Sequence, residues 1–358
     1  MRILLLSAPS SVHTQRWANA FAERGHAVHV VGQHDPLDGY HSDVRIEILP
    51  HRGPRGYARN RGALRRIVRS MAPDIVNAHY ATGYGILAQA VRDRPLVLNV
   101  WGSDVYEFPE KGLLHRWLLR RNLRHADRVV ATSKAMAART VAVCPGLAPP
   151  VVVPFGVDTA VFSPATKQVG HHVVIGTVKT MAHKYGIDTL LEAFALLQKE
   201  PGMPPCGLRL VGGGPELETY GIRADYLGIA DKVLFVGPVP HAQVPHELRE
   251  MDIFAALSRY DSESFGVAAV EASACGLPVV VSDVDGFKEV TVNDVTGHVV
   301  RREDPRAAAE ALKRLVLSDE LRTSMGAAGI AHVKREYEWS TCVDRMLDVL
   351  TEVSRSTR

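Results

Sequence analysis

At 358 residues the chain is long for one domain and comfortable for two, each large enough to bury its own core. Its 46% hydrophobic and 23% charged residues are those of an ordinary folded protein, which excludes a disordered or low-complexity chain. The net charge of +3 is small and no nucleic-acid partner is expected, but residues 51–72 hold seven arginines and no acid, so a basic face is expected in the first half.

From the start, short apolar runs alternate with amphipathic ones. The opening MRILLLSAPSS has too short an apolar run for a signal-peptide core. RILLLS, HAVHVVG, DIVNAHY, PLVLNVWG, DRVVATS and PVVVPFGV read as strands, separated by helices at RWANAFAER, LRRIVRS, YGILAQAVRD and HRWLLRRNLRH. The last of these lies in residues 111–128, which carry six Lys or Arg against one Asp. It is either an amphipathic helix resting on an anionic membrane, with Leu114, Trp117 and Leu118 on one side, or an ordinary helix whose leucines face the core. A polar, proline-punctuated linker is expected near 163–170, after which the pattern restarts with HVVIGTVK, TLLEAFALLQK, LRLVGGG, ELETYGIRADYLG, KVLFVG, VPHELREM, DIFAALS, the EASACG helix and PVVVSD. KREYEWSTCVDRMLDVLTEVSRS closes the chain as a long amphipathic helix. Such alternation predicts parallel strands with crossover helices in two doubly wound α/β domains, which bind ligands beyond the carboxyl ends of their strands. Cys144, Cys206, Cys275 and Cys342 lack metal or redox spacing, and a reducing, cytoplasmic setting is expected. No stretch approaches the roughly 18 apolar residues of a spanning helix, so any membrane contact, at the inner face, would be peripheral.

Residues 259–283, RYDSESFGVAAVEASACGLPVVVSD, place Glu263 and Glu271 eight positions apart around a helix mouth. Ser264 reads as the N-cap of a helix from Phe265 to Cys275, with Gly276 and Pro278 as its stop. Two carboxylates about 12 Å apart along the axis, with free N–H groups between them, suit a sugar, a diphosphate and a ribose. The alternatives are a helix-end charge at Glu263 and an ion-paired or solvated Glu271.

With the two-domain pattern, these residues resemble the retaining, nucleotide-sugar-dependent glycosyltransferases of family 4. The likeness is strongest over 173–300 in GTVKTMAHKYGIDTLLEAF, LRLVGGGPE, VLFVGPV, the E-x7-E stretch and TGHVV. It implies an α/β GT-B fold of two facing Rossmann-like domains with a cleft between them: 1–165 for the acceptor, 166–335 for the donor, and 336–358 as a helix packing back on the first. It implies that Glu263 meets the donor sugar and Glu271 the ribose, with Ser264, Phe265, Gly266, Val267, Gly213 and Val239 around the donor. Lys179 and Lys184 have the spacing of the family's two diphosphate-binding cations; two solvated surface lysines are the alternative. The Gly212–Gly214 loop borders the nucleotide in the family, although a plain tight turn would look the same.

Departures from the family matter as well. VWGSD has Trp101 where many members carry a histidine, leaving Asp104 either to position the acceptor or handle its proton, or merely to cap the turn. His13 and Arg16 replace the usual glycine pair of the first loop, and with His79 and Trp101 they are the candidate acceptor contacts; a surface role is open for the first two. The expected reaction moves a sugar from a nucleotide diphosphate sugar to a glycan or lipid-linked glycan in envelope, lipopolysaccharide or capsule assembly. A nucleotide-sugar epimerase or hydrolase, or a non-catalytic binding subunit, are the alternatives. No cofactor or metal is expected, although Asp283 and Asp285 have D-x-D spacing, because the lysines already supply positive charge.

Overall fold

The computed structural model describes residues 1–165 and 172–356. The chain divides into two compact units, Met1–Phe155 with Ser340–Arg358, and Gly156–Trp339. The division falls ten residues before the expected 165/166 boundary, and most of the expected linker, 166–170, lies outside the described residues.

Unit 1 is built on a seven-stranded parallel sheet: β1 Arg2–Leu6, β2 Ala27–Gly32, β3 Arg45–Ile48, β4 Ile75–His79, β5 Leu96–Val100, β6 Arg128–Ala131 and β7 Val151–Val152. Its order is β3-β2-β1-β4-β5-β6-β7. The chain winds outward from β1 to one edge, returns, and winds out to the other, so the strand order reverses between β1 and β4. Because helices cover both faces, β1, β4 and β5 are rich in apolar residues and almost wholly buried, although β4 and β5 also bury Asn77, His79 and Asn99. The C-terminal helix Trp339–Ser356 belongs to this unit from Ser340 onward. It buries Cys342, Val343, Met346, Val349, Leu350 and Val353, and ties down by Arg24–Asp344 and Arg128–Glu352 ion pairs, both at 3.0 Å.

Unit 2 repeats the design with six parallel strands: β8 Val173–Val178, β9 Cys206–Val211, β10 Val233–Gly237, β11 Ile253–Ala256, β12 Val279–Ser282 and β13 Gly297–Val300, in the order β10-β9-β8-β11-β12-β13. Its core joins β8, β9 and β11 to the helix Ile187–Gln198 and to the helix Pro305–Leu317, through Leu191, Phe194, Leu210, Ile253 and Leu312. The reversal here lies between β8 and β11.

Three local readings differ from the sequence expectation. The E-x7-E helix runs Val267–Ala274, and its N-cap is Gly266 at φ +83°, with no side-chain cap. Ser264 is therefore not the cap; it lies two residues earlier and is buried. A left-handed entry suits glycine, and a Cβ there would come within 2.7 Å of the Phe287 ring. YGILAQAVRD is helical only over Gly83–Ala88. The closing helix starts at Trp339, since the preceding helix Asp319–Glu336 ends first.

Candidate active site

Lys179 follows β8 and Glu263 follows β11, the two strands flanking the reversal in unit 2. The structure joins them: Lys179 Nζ lies 2.5 Å from Glu263 Oε2, with both side chains mostly buried. Ser258 Oγ also donates to Glu263 Oε2 at 3.4 Å. Lys184 belongs to the short 3-10 turn His183–Tyr185, and both ammonium groups lie over the Tyr185 ring, at 4.8 Å for Lys179 and 5.0 Å for Lys184. Two cations held against one aromatic ring, with a carboxylate on one of them, form a compact charged cluster.

The loops that carry this cluster are locked main chain to main chain. A Cβ on Gly212 would fall 2.0 Å from the Lys179 carbonyl oxygen, and one on Gly214 would fall 2.4 Å from that of Met181. Met181 N–H donates to Gly213 O at 2.9 Å. The glycine loop thus braces the lysine segment. Gly286 fits as closely beneath the other loop, where a Cβ would meet Glu263 O at 2.2 Å. Phe265 points inward and packs edge-on to Tyr337 at 5.5 Å, so its side chain is core and any donor contact falls to its main chain. Val267, the first residue of the E-x7-E helix, and Val239, in the loop after β10, are both half-buried.

Glu271, on the second turn of its helix, pairs with neither arginine nor lysine among the described residues. Its Oε1 lies 3.0 Å from Nε2 of His241, a residue the sequence reading passed over. Two arginines were passed over as well. Arg259 is buried and reaches Asp188 at 2.7 Å, His183 O at 2.6 Å and Glu303 at 3.0 Å, tying the lysine turn to the end of β11. Arg302 binds Asp283 through Nε at 2.9 Å and Asp261 at 3.0 Å. Burial pushes the Asp283 carboxyl up, but the Arg302 hydrogen bond and charge outweigh it and hold the group below the usual range. Asp285 pairs with Lys288 at 2.8 Å. Both carboxylates of the D-x-D pair are therefore engaged with cations, and no cluster of three metal-ligating side chains occurs among the described residues.

Unit 1 gathers a different set at its strand ends. Trp101, after β5, packs on His79 at the end of β4 (4.5 Å between centroids), on Phe155 (5.3 Å) and edge-on to His13 (5.8 Å). His13, on the helix Val12–Glu23 after β1, stacks on Phe155 at 4.1 Å. Arg16 is one turn further along that helix and half-buried. Two of the candidate residues are buried. His79 is 1% exposed, bonded to Ser7 Oγ at 3.0 Å and packed against Trp101. Burial, helped by the charge of His13, pushes its ring down to about 3. Asp104 is equally buried and accepts main-chain N–H bonds from Ala81 at 3.0 Å, Trp101 at 3.1 Å and Gly102 at 2.9 Å. Burial raises its pKa against the pull of those donors. These bonds tie it to the loop that carries Trp101, which is the turn-capping alternative of the sequence expectation.

Two Rossmann-like α/β units, with charged side chains gathered at the switch point of the second, place a candidate ligand site at the carboxyl ends of the strands. Residues 162–332 match the family of glycosyl transferases group 1, and residues 2–133 match the glycosyl transferase 4-like family. The chain is 30% identical over 283 residues to a GDP-mannose-dependent alpha-(1-6)-phosphatidylinositol monomannoside mannosyltransferase of Mycolicibacterium smegmatis, covering 75% of this chain and 72% of that one. It is 34% identical to a D-inositol 3-phosphate glycosyltransferase of Corynebacterium jeikeium, over 56% of this chain and 51% of that one. The chain thus spans about three quarters of the first relative and about half of the second. Among solved structures it is similar to sucrose-phosphate synthase from Thermosynechococcus elongatus (TM-score 0.86, 20% identity, 99% of this chain and 100% of that one). It is also similar to Anabaena HepE in complex with UDP (TM-score 0.83, 19% identity, 98% and 100%). The chain belongs to the group 1 glycosyltransferases, the GT4 type.

Proposed function

We propose that the chain moves a sugar, with retention of anomeric configuration, from a nucleotide diphosphate sugar to a glycan or lipid-linked glycan in cell-envelope or capsule biosynthesis. The observation that carries this reading is the Lys179–Glu263 pair, with Lys184 beside it on Tyr185, at the reversal of the second sheet. When a diphosphate arrives, its charge competes with Glu263 for Lys179, which frees a carboxylate for sugar hydroxyls next to the leaving group. Charge on that leaving group grows as the glycosidic bond breaks, and preorganised ammonium groups favour the later state over the earlier one. Departing phosphate on the same face can take the acceptor proton, so no side-chain base is required. The lysines also make a divalent ion unnecessary, and the D-x-D carboxylates serve Arg302 and Lys288.

The name of the Mycolicibacterium smegmatis relative supports a glycolipid acceptor, while that of the Corynebacterium jeikeium relative names an inositol phosphate; one helix of unit 1 supports a membrane-side setting. Among the described residues no helix is long and apolar enough to cross a membrane. The helix Leu113–His125 instead buries Leu119 and Leu123 and leaves Leu113 83%, Leu114 65% and Trp117 54% exposed. Leu118, expected beside them, is half-buried. A groove of about 550 Å³ runs along it, lined by Arg116, Arg120, Arg121 and Arg124. Apolar side chains next to arginines fit the interface of an anionic bilayer, where each basic residue is worth about 1 kcal/mol. Removing Arg121 and Arg124 should weaken co-sedimentation with anionic vesicles roughly 10-fold or more and leave neutral vesicles unaffected.

The reaction itself is tested with GDP- and UDP-sugars in excess EDTA, by thermal shift and then by proton NMR of the product. A nucleotide present at 100 times its Kd stabilises the fold by about 2.7 kcal/mol, so one base series should stand out. An inverted product, or activity that returns only with Mn²⁺, would overturn the mechanism.

A further inference from the structure

Glu271 is an awkward residue for its surroundings. Its side chain is 5% exposed, on a helix otherwise made of Val, Ala and Ser. A carboxylate has about four acceptor positions, and one left largely unfilled in a buried place is costly. The terminal torsion of a glutamate is also soft, so burial alone does not decide where its two oxygens point. His241 does decide it. This residue opens the one-turn segment His241–Gln243, which follows β10 through Val239 and Pro240. From there Nε2 meets Oε1 at 3.0 Å, while the ring lies 5.7 Å from that of the buried Phe162 and remains 37% exposed.

We propose that His241 is a positioning residue for the nucleotide ribose. By holding Oε1 it turns Oε2 of Glu271 toward the ligand, where ribose hydroxyls donate to it and fill the positions the protein leaves open. The inference rests on reading Glu271 as the ribose contact. It adds a consequence that reading lacks: loss of the imidazole should harm only ligands that have the hydroxyls. Without His241 the carboxylate can swing away from the ribose, whereas a ligand that never used the carboxylate has nothing to lose. Glutamine, whose amide N–H can reach the same oxygen, should substitute in part.

The test is calorimetric titration of the full chain with GDP and with 2′,3′-dideoxy-GDP, or with the uridine pair if UDP binds more tightly. Wild type is compared with His241→Ala, His241→Gln and Glu271→Ala. A hydrogen bond to a charged group corresponds to a factor of about 10 or more, so His241→Ala should cut the ribose preference by about tenfold. Its dideoxy affinity should change less than about twofold, His241→Gln should recover most of the preference, and Glu271→Ala should abolish it. A preference unchanged in His241→Ala but lost in Glu271→Ala would overturn the role of His241. Equal weakening of both ligands by His241→Ala would overturn it too, assigning the ring to general support of the loop. A preference that survives Glu271→Ala would instead overturn the ribose reading itself.

Discussion

In unit 1 the carboxyl ends of β1, β4 and β5 lead to His13, His79 and Trp101, packed with Phe155 into an aromatic cluster. In unit 2 the carboxyl ends of β8 and β11 lead to Lys179, Lys184 and Glu263, packed as ions around Tyr185. The strand order reverses in the same way in both sheets. Topology therefore fixes where a site can form, and the residues at and just past the strand ends fix its chemistry. An aromatic shelf suits the apolar face of a sugar ring or lipid-borne acceptor. A cation pair with its own counter-ion suits a diphosphate, because the exchange of one anion for another avoids leaving either charge unpaired in a partly buried place.

The difference is sharpest under substitution. Lys179→Ala strands the Glu263 carboxylate and removes a cation from the leaving group, and kcat should fall about 100- to 1,000-fold. Trp101→Ala is expected to raise the acceptor KM about tenfold while nucleotide affinity stays within about twofold, since only the shelf is lost. Steady-state kinetics with each substrate varied in turn separates the two; a donor defect in Trp101→Ala would break the assignment of roles to the units.

A smaller effect concerns His79, and its sign follows from burial. The ring has an ordinary value of 6.5 and about 3 in the fold, so between those values the unfolded chain binds the extra proton. Stability should therefore fall on acidification across that window, by up to about 1.4 kcal/mol per pH unit from this group. In His79→Gln, urea melts from pH 4 to 7 should show a shallower acid limb. An identical slope would mean that the ring protonates in place.

Most of the strands were legible because buried parallel strands are written as apolar runs. The exceptions are β3, whose RIEI alternates on a half-exposed edge and lacks that signature, and the four-residue β13, GHVV, which stood out only as part of the family likeness. The helices Lys134–Val143, Pro305–Leu317 and Asp319–Glu336 also went unread as elements. The site was legible where its members stand close in sequence: Glu263 with Glu271, Lys179 with Lys184. It was illegible where partners are distant. His241 is 30 residues from Glu271, and Arg259 is 71 from Asp188 and 44 from Glu303, so neither carries a local signal. The contacts of Asp104 were illegible for a related reason. A carboxylate two residues past a strand-end turn reads as chemistry, but its acceptor positions are filled by N–H groups from two loops, one of them 23 residues away. Ser264 misled because the left-handed Gly266 begins the helix later than a serine cap would.

The central claim, that the charged cluster of unit 2 is built for a nucleotide diphosphate, is tested most directly by the preference for diphosphate over monophosphate. GDP and GMP, with UDP and UMP alongside, are titrated into the full chain and into the Lys179→Ala, Lys184→Ala double variant. Wild type should bind the diphosphate of its base at least about tenfold more tightly, one charge-assisted contact's worth, and the double variant should bind the two forms nearly alike. A double variant that keeps the full diphosphate preference would contradict the account, because the phosphate would then be held somewhere other than Lys179 and Lys184.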